Sequence, residues 1–116
     1  MNYIDGFVVP VPTARKEEYR ALCLRAAEVF KEYGAIRVVE CWGEDVPEGR
    51  VTDFRRAVQA RPDETVVFSW IVWPSRAVRN DGNARAMKDP RLQPNAEMPF
   101  DGRRMVCGGF TVLADV

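Results

Sequence analysis

The sequence predicts an α+β fold, a ferredoxin-like split β-α-β sandwich with an insertion between strands 2 and 3. Segments rich in β-branched and aromatic residues alternate with two amphipathic helical stretches, in the order β-α-β, insertion, β-α-β. The length of 116 residues is enough for one hydrophobic core, so residues 1–116 form a single domain. We therefore expect a four-stranded antiparallel sheet with both helices on one face.

The first half of the chain predicts strand, helix and strand. Residues 3–11 are β-branched or aromatic at most positions and indicate the first strand. Thr13 has the character of a helix N-cap, and apolar residues recur at helical spacing up to Gly34, a residue typical of helix C-termini. Residues 35–42 then indicate the second strand.

The insertion follows the second strand. Residues 44–50 are polar and rich in turn formers, which indicates a loop. Residues 52–60 fit either a short helix or a short strand, and the spacing of Phe54, Ala57 and Val58 favours the helix.

The second half repeats the pattern. Residues 65–73 are almost continuously apolar and predict a central strand buried on both faces. Ser75 is the expected cap of a helix that extends to about Lys88 and that Gly82 weakens. Residues 89–102 contain three prolines and predict a long structured loop, and residues 103–113 predict the fourth strand. Gly108 and Gly109 mark a bulge or a close backbone approach in that strand.

Side chains alternate along a strand, so parity divides the predicted sheet into two faces. One face is aliphatic, with Ile4 and Val8 among its members. The other is mixed and combines aromatic side chains with carboxylates: Tyr3, Asp5, Phe7, Val9, Val38, Glu40 and Trp42. We expect the mixed face to lie opposite the helices, and because it is too apolar to remain in water it predicts a homodimer that packs sheet on sheet.

Composition excludes several classes of function. The chain has no histidine, which argues against histidine-ligated zinc or haem and against Ser-His or Cys-His nucleophiles, so we expect no metal and no cofactor. The 17 basic and 17 acidic residues balance and are evenly spread, which argues against nucleic acid as a partner. No apolar run is long enough for a membrane span, and three cysteines without a signal peptide indicate reduced thiols and a cytoplasmic location.

Asp5 and Glu40 are the candidate catalytic residues. If the mixed face lines a cavity enclosed by Phe7, Trp42 and Trp70, burial would raise the pKa of these carboxyl groups into the range useful for acid/base chemistry, such as proton abstraction from a small carbon acid. The alternative is structural: each carboxylate pairs with an arginine such as Arg37, Arg56 or Arg104 and stiffens the sheet. We favour this structural alternative, because structural ion pairs also shift the pKa values of carboxyl groups.

Five residues are candidates for ligand binding. The aromatic ones could hold a flat ligand, although such residues more often anchor a core or an interface. Cys107 could be an exposed thiolate of low pKa, but a buried structural thiol is favoured. A cluster of arginines in residues 75–104 is typical of a solvated surface. The ligand-binding candidates are Phe7, Trp42, Trp70, Arg104 and Cys107.

The chain contains several long motifs: Asp5-Gly-Phe-Val-Val-Pro-Val-Pro, Val39-Glu-Cys-Trp-Gly-Glu-Asp-Val-Pro-Glu-Gly, Thr52-Asp-Phe-Arg-Arg-Ala-Val, Val67-Phe-Ser-Trp-Ile-Val-Trp-Pro-Ser and Met98-Pro-Phe-Asp-Gly-Arg-Arg-Met. Together these motifs resemble the YbaA-like family of small bacterial proteins, a family of unknown function. The resemblance implies a dimeric α/β barrel made of two ferredoxin-like subunits, but no reaction and no functional residues. The wider barrel superfamily includes cofactor-independent monooxygenases, isomerases, haem-degrading proteins and ligand-binding regulators, so fold alone does not decide among them.

These observations lead to one expected function and two alternatives. We expect a homodimer with a pocket on the sheet for a small organic ligand. The first alternative is a cofactor-independent enzyme, of monooxygenase or isomerase type, that uses Asp5 and Glu40 as acid and base. The second is a purely structural or interaction dimer. Whether the chain is an enzyme is open at this level.

Overall fold

The structure, a computed structural model, describes residues 1–93 and 98–116. Short 3-10 turns lie at Thr13–Arg15, Pro90–Leu92 and Gly102–Arg104. The main elements are β1 (Tyr3–Pro12), α1 (Lys16–Glu32), β2 (Arg37–Trp42), α2 (Phe54–Ala57), β3 (Glu64–Trp73), α3 (Arg76–Lys88) and β4 (Val106–Thr111). The prediction of an α+β chain with a four-stranded antiparallel sheet is confirmed.

The strands lie in the order β2-β3-β1-β4, so β3 and β1 are central and β2 and β4 form the edges. Val9 and Val67 are direct partners across β1 and β3, and Phe7 lies opposite Cys107 of β4. The connection from β2 to β3 carries the predicted insertion, in which α2 is the short helix that the spacing favoured. Asp53 caps α2 by accepting a hydrogen bond from the backbone N–H of Arg56 at 2.7 Å.

Two boundaries differ from the predictions. Thr13 does not cap α1: its hydroxyl is hydrogen-bonded to that of Thr65 at 2.7 Å, and a 3-10 turn precedes the helix. β4 begins only at Val106, because the Asp101 carboxylate accepts a hydrogen bond from the backbone N–H of Arg103 and holds residues 102–104 in a 3-10 turn. Pro94, which belongs to the predicted loop 89–102, lies outside the described residues.

Both helices pack on the mixed face of the sheet, so the prediction that this face lies opposite the helices is wrong. Tyr3, Ile71 and Trp73 form one core cluster beneath Phe30 of α1 and Val78 of α3. A second cluster joins residues of β1 and β3 to Tyr19 of α1, with Cys23 and Trp42 packed against it. Parity shows which residues share a face, but not which face the helices cover.

The opposite face of the sheet, here called the open face, is apolar. It carries Ile4, Val8, Phe68, Trp70, Val72, Val106 and Phe110, which the register places on one side of the four strands. Phe68 is 46% exposed and Phe110 is 59% exposed. The prediction that β3 is buried on both faces is wrong from Phe68 onward, because α1 and α3 cover only the other face and α2 reaches only as far as a ring contact between Phe54 and Phe68. Nearer the start of the strand, Val66 on this side is 3% exposed, so the prediction holds there.

Candidate functional site

Asp5 lies in the core between β1 and α3 and is 3% exposed. Its carboxylate accepts hydrogen bonds from the Trp73 indole N–H at 2.9 Å and from Asn83 at 3.2 Å. The Arg79 guanidinium binds the same group, with its Nη2 atom 2.8 Å from Asp5 Oδ1. This geometry matches the structural alternative for Asp5, although the partner is Arg79 and not one of the arginines named from the sequence. With these donors in place, the carboxylate has little acceptor capacity left for a ligand.

Glu40 has a different environment. The residue lies at the exposed edge of the sheet, but its carboxyl group accepts a hydrogen bond from the Tyr19 hydroxyl at 2.9 Å. Burial raises the pKa of the Glu40 carboxyl, and hydrogen bonds from Tyr19, Cys23 and Ser69 offset part of that rise. Within residues 1–93 and 98–116, no lysine or arginine forms an ion pair with it.

The Glu40 carboxyl group faces a cavity of about 360 Å³ between α1 and β2. This volume is at the lower end of the range for small-molecule sites, about 300–1,000 Å³. One wall is the β2 edge of the sheet. The other is one side of α1, formed by residues spaced three or four positions apart. The cavity, here called the α1–β2 cavity, is lined by Lys16, Tyr19, Arg20, Cys23, Leu24, Ala27, Val38, Glu40, Cys41, Trp42 and Val67.

Cys23 and Tyr19, two further polar residues of the cavity, keep their protons at neutral pH. Burial raises the pKa of Cys23 to about 12, and the nearby Glu40 carboxylate adds to the rise. Burial also raises the pKa of Tyr19, again with a contribution from Glu40. Cys23 is therefore a thiol and not an activated nucleophile, and Tyr19 serves as a hydrogen-bond donor.

Lys16 and Arg20 stand one helical turn apart at the side of the cavity. The Lys16 ammonium lies 5.3 Å from the centre of the Trp42 ring, a cation–π contact. In the described part of the chain, neither side chain has a carboxylate within ion-pair distance. Their charges are available to a ligand in the cavity.

The other predicted site residues do not join this cavity. Phe7 packs against the core cluster around Trp73, and Trp70 lies on the open face beside Phe68. Arg104 forms a bidentate ion pair with Glu64, with N–O distances of 2.7 and 2.8 Å, and a further ion pair with Asp101. Cys107 is exposed on the edge strand β4, so the expectation of a buried thiol is wrong there. The structure thus brings Glu40 and Trp42 together and disperses the rest.

Sequence reasoning missed the contribution of α1 to the cavity. Tyr19 and Cys23 belong to the run of residues at helical spacing that predicts α1, which says nothing about a ligand site, and the sequence gives no role to Lys16 or Arg20. The signal that could have found them is the paired i, i+4 spacing, because it places Lys16 beside Arg20 and Tyr19 beside Cys23 on adjoining sides of one helix.

The arginine cluster of residues 75–104 is largely neutralised by carboxylates. Arg85 pairs with Asp81 at 3.1 Å, and Arg91 pairs with Glu32 and Asp89 at 2.7 and 2.8 Å. Within residues 1–93 and 98–116, no group of three or more cysteines and carboxylates could hold a metal ion. Over the same residues, no helix has the length and apolar character needed to cross a bilayer.

Comparison with known proteins places the chain in a family. The model of DUF1428, described as "Protein of unknown function (DUF1428)", matches residues 2–102. The chain belongs to this family. It is 55% identical over 116 residues to the uncharacterized protein YbaA of Escherichia coli K12, covering 99% of both chains, and equally similar to YbaA of Shigella flexneri. The resemblance drawn from the sequence motifs is thereby confirmed.

Two solved structures share the fold. SnoaB from Streptomyces nogalater, a cofactor-independent oxygenase whose structure is that of a point mutant, superposes with a TM-score of 0.55 and 18% identity over 99% of this chain and 94% of its own. The de novo designed protein Foldit4 superposes with a TM-score of 0.51 and 13% identity over 97% of this chain and 99% of its own. At these identities the likeness concerns the fold alone.

Proposed function

We propose that this family member binds a small organic molecule in the α1–β2 cavity. The observation that carries the proposal is the Glu40 carboxyl group, which lines a largely apolar cavity at the sheet edge without an ion-pair partner among the described residues. A carboxylate that serves only the fold is normally paired, as Asp5 is. An apolar cavity with a few convergent polar groups and a perturbed pKa is the usual form of a ligand site.

The proposal includes the quaternary arrangement. The subunit is ferredoxin-like, and two copies pack through their open faces into a dimeric α+β barrel. The open face supports this because it is four strands wide, on the order of 400 Å² in projection, and apolar enough to make its exposure costly. The register places two charged residues on this side, the exposed Arg37 and the buried Glu64, which is paired with Arg104, so two copies can meet without strong like-charge repulsion. The α1–β2 cavity lies on the helix side and stays accessible in this dimer, for which we propose a cytoplasmic location.

A substitution that fills the cavity tests the binding function. Ala27 lines the cavity, and Ala21 lies on the exposed side of the same helix. We expect the neutral fluorescent probe N-phenyl-1-naphthylamine to bind the unaltered chain and Ala21→Phe at one saturable site per chain. Ala27→Phe should weaken that binding at least about tenfold, because its ring occupies the volume that the probe needs. Equal binding by the two variants would refute the proposal.

A second candidate function is proton transfer, and Glu40 is the observation that favours it. A carboxyl group with a raised pKa, held by Tyr19, can take a proton from a carbon acid and return it to another carbon of the same molecule, which is an isomerisation. The same first step, followed by attack of molecular oxygen on the carbanion, begins a cofactor-independent monooxygenation. Asp5 is not part of this candidate because Arg79 occupies it. Unchanged turnover of a carbon-acid substrate in Glu40→Gln would remove it.

A further inference from the structure

The charges around the α1–β2 cavity are unequal, and their arrangement defines which ligands it can hold. Lys16 and Arg20 line it from α1, whereas Glu40 is the carboxylate among the lining residues. The acidic residues in the first turn of α1, Glu17 and Glu18, are not among those lining residues, and Glu18 is paired with Arg15 at 2.8 Å. The cavity is therefore bordered by two cations that lack a carboxylate partner in the described residues.

These cations decide between two kinds of ligand. An aromatic side chain beside a carboxylate, as Trp42 stands beside Glu40, could in principle recognise an organic ammonium ion. Here the position over the Trp42 ring is already taken by the Lys16 ammonium, 5.3 Å from the ring centre. A cationic ligand would meet Lys16 and Arg20 as like charges, whereas an anionic ligand would gain two partners.

We propose that the ligand is a small amphipathic organic anion. Its apolar body packs between Trp42 and the aliphatic wall of Leu24 and Ala27, and its anionic group contacts Lys16 and Arg20. At the other end, the Glu40 carboxyl accepts a hydrogen bond from a hydroxyl or N–H group of the ligand, since a carboxylate has about four acceptor sites and Tyr19, Cys23 and Ser69 supply three donors. A carboxylate, sulfonate or phosphate on an apolar skeleton supplies both the apolar body and the anionic group.

This inference rests on the proposed function and deepens it. The Tyr19 hydroxyl donates a hydrogen bond to the Glu40 carboxyl, which offsets part of the repulsion between that group and an anion. The Cys23 thiol and the Tyr19 hydroxyl are neutral at pH 7 and add no opposing charge.

A matched pair of probes tests the inference. The anion 1-anilinonaphthalene-8-sulfonate has the skeleton of N-phenyl-1-naphthylamine with a sulfonate added, so their affinity ratio reports what the anionic group gains. We expect the double variant Lys16→Gln/Arg20→Gln to lower this ratio about tenfold, as expected for two exposed charge contacts. Any change in the affinity for the neutral probe cancels in the ratio. The control Arg25→Gln/Lys31→Gln removes two exposed charges from the same helix, and the ratio should not change.

The possible results separate the two proposals. If the ratio is the same in both double variants while Ala27→Phe still weakens binding of the neutral probe, the cavity binds ligands but does not select anions, and this inference is wrong. If Ala27→Phe affects neither probe, the proposed function and the inference are both wrong. A fall in the ratio of about tenfold that shrinks at high salt supports the inference, because exposed charge contacts are screened.

Discussion

Asp5 and Glu40 show how far two carboxylates on the same face of a sheet can differ. Asp5 lies on a central strand beneath α3, where Trp73, Arg79 and Asn83 all donate to it. Glu40 lies on an edge strand beside α1, where the neutral Tyr19 hydroxyl donates to it. Their strand positions, and not their chemistry, make one a structural ion pair and the other a candidate ligand contact.

The pKa of Glu40 gives a prediction about stability. A carboxyl group whose pKa is higher in the folded than in the unfolded state stabilises the fold fully below its unfolded pKa, about 4.3, and loses that contribution as pH rises through its folded pKa. We therefore expect Glu40→Gln to gain stability relative to the unaltered chain as pH rises from about 4 to about 7. Urea unfolding at several pH values measures this difference.

The control for this prediction is Glu28→Gln, on the exposed side of α1. The groups that face Glu40 are Tyr19 and Cys23 of α1 and Ser69 of β3, with Lys16 and Arg20 at the side of the cavity. Tyr19 and Cys23 keep their protons between about pH 4 and 7, because burial raises the pKa of both, so the change over this range belongs to Glu40. A difference that is flat with pH, or equal in the two variants, would contradict the raised pKa.

At the scale of elements, Gly82 of α3 gives a second prediction. A Cβ atom there would lie 2.5 and 2.7 Å from carbons of the Trp73 ring and 2.8 Å from the Tyr33 carbonyl oxygen. Gly82→Ala should gain about 1 kcal/mol in helix propensity but lose about 1–3 kcal/mol through overpacking, so we expect a net loss of stability. Asn80→Ala, at an exposed position of the same helix, should be neutral or stabilising by up to about 0.5 kcal/mol. Urea unfolding compares them, and a more stable Gly82→Ala would contradict the close packing.

The order and type of elements could be predicted because they depend on local patterns. The β-branched run of residues 65–73 and the cap at Ser75 are such patterns, and Ser75 does accept a hydrogen bond from the Val78 N–H at 3.1 Å. The boundary at Thr13 could not be predicted, since its hydroxyl partner, Thr65, is distant in the sequence.

The site was harder to predict than the elements. Strand parity placed Glu40 and Asp5 on the same face of the sheet. It did not show which side chains of the helices bind them, and these are Tyr19 for Glu40 and Arg79 for Asp5. Trp70 was grouped with Trp42, although the register places it on the open face opposite Val39 and Gly6. Pairing between distant segments, which one sequence does not reveal, separates these residues.

At the scale of the whole molecule, the two faces of the sheet have separate roles in our proposal. The helix-covered face contains the core and, at its β2 edge, the α1–β2 cavity. The open face has Phe68, Val106 and Phe110 each about half exposed or more. Because ligand and partner would use opposite faces, binding and assembly can be tested independently.

The dimer gives the last prediction. Phe110 lies on the open face, 59% exposed, with its ring over Gly6 and Gly108. Phe110→Asp would place a charge within the apolar face of each subunit, and a symmetric interface repeats that charge on both sides, so we expect a monomer. Met87→Asp is the matched control, because Met87 is 65% exposed on α3, away from that face, and should leave a dimer. Sedimentation equilibrium, with circular dichroism to verify folding, distinguishes these outcomes. A monomeric unaltered chain, or a Phe110→Asp variant that remains a dimer, would show that the open face does not join two copies, while leaving the cavity proposal intact.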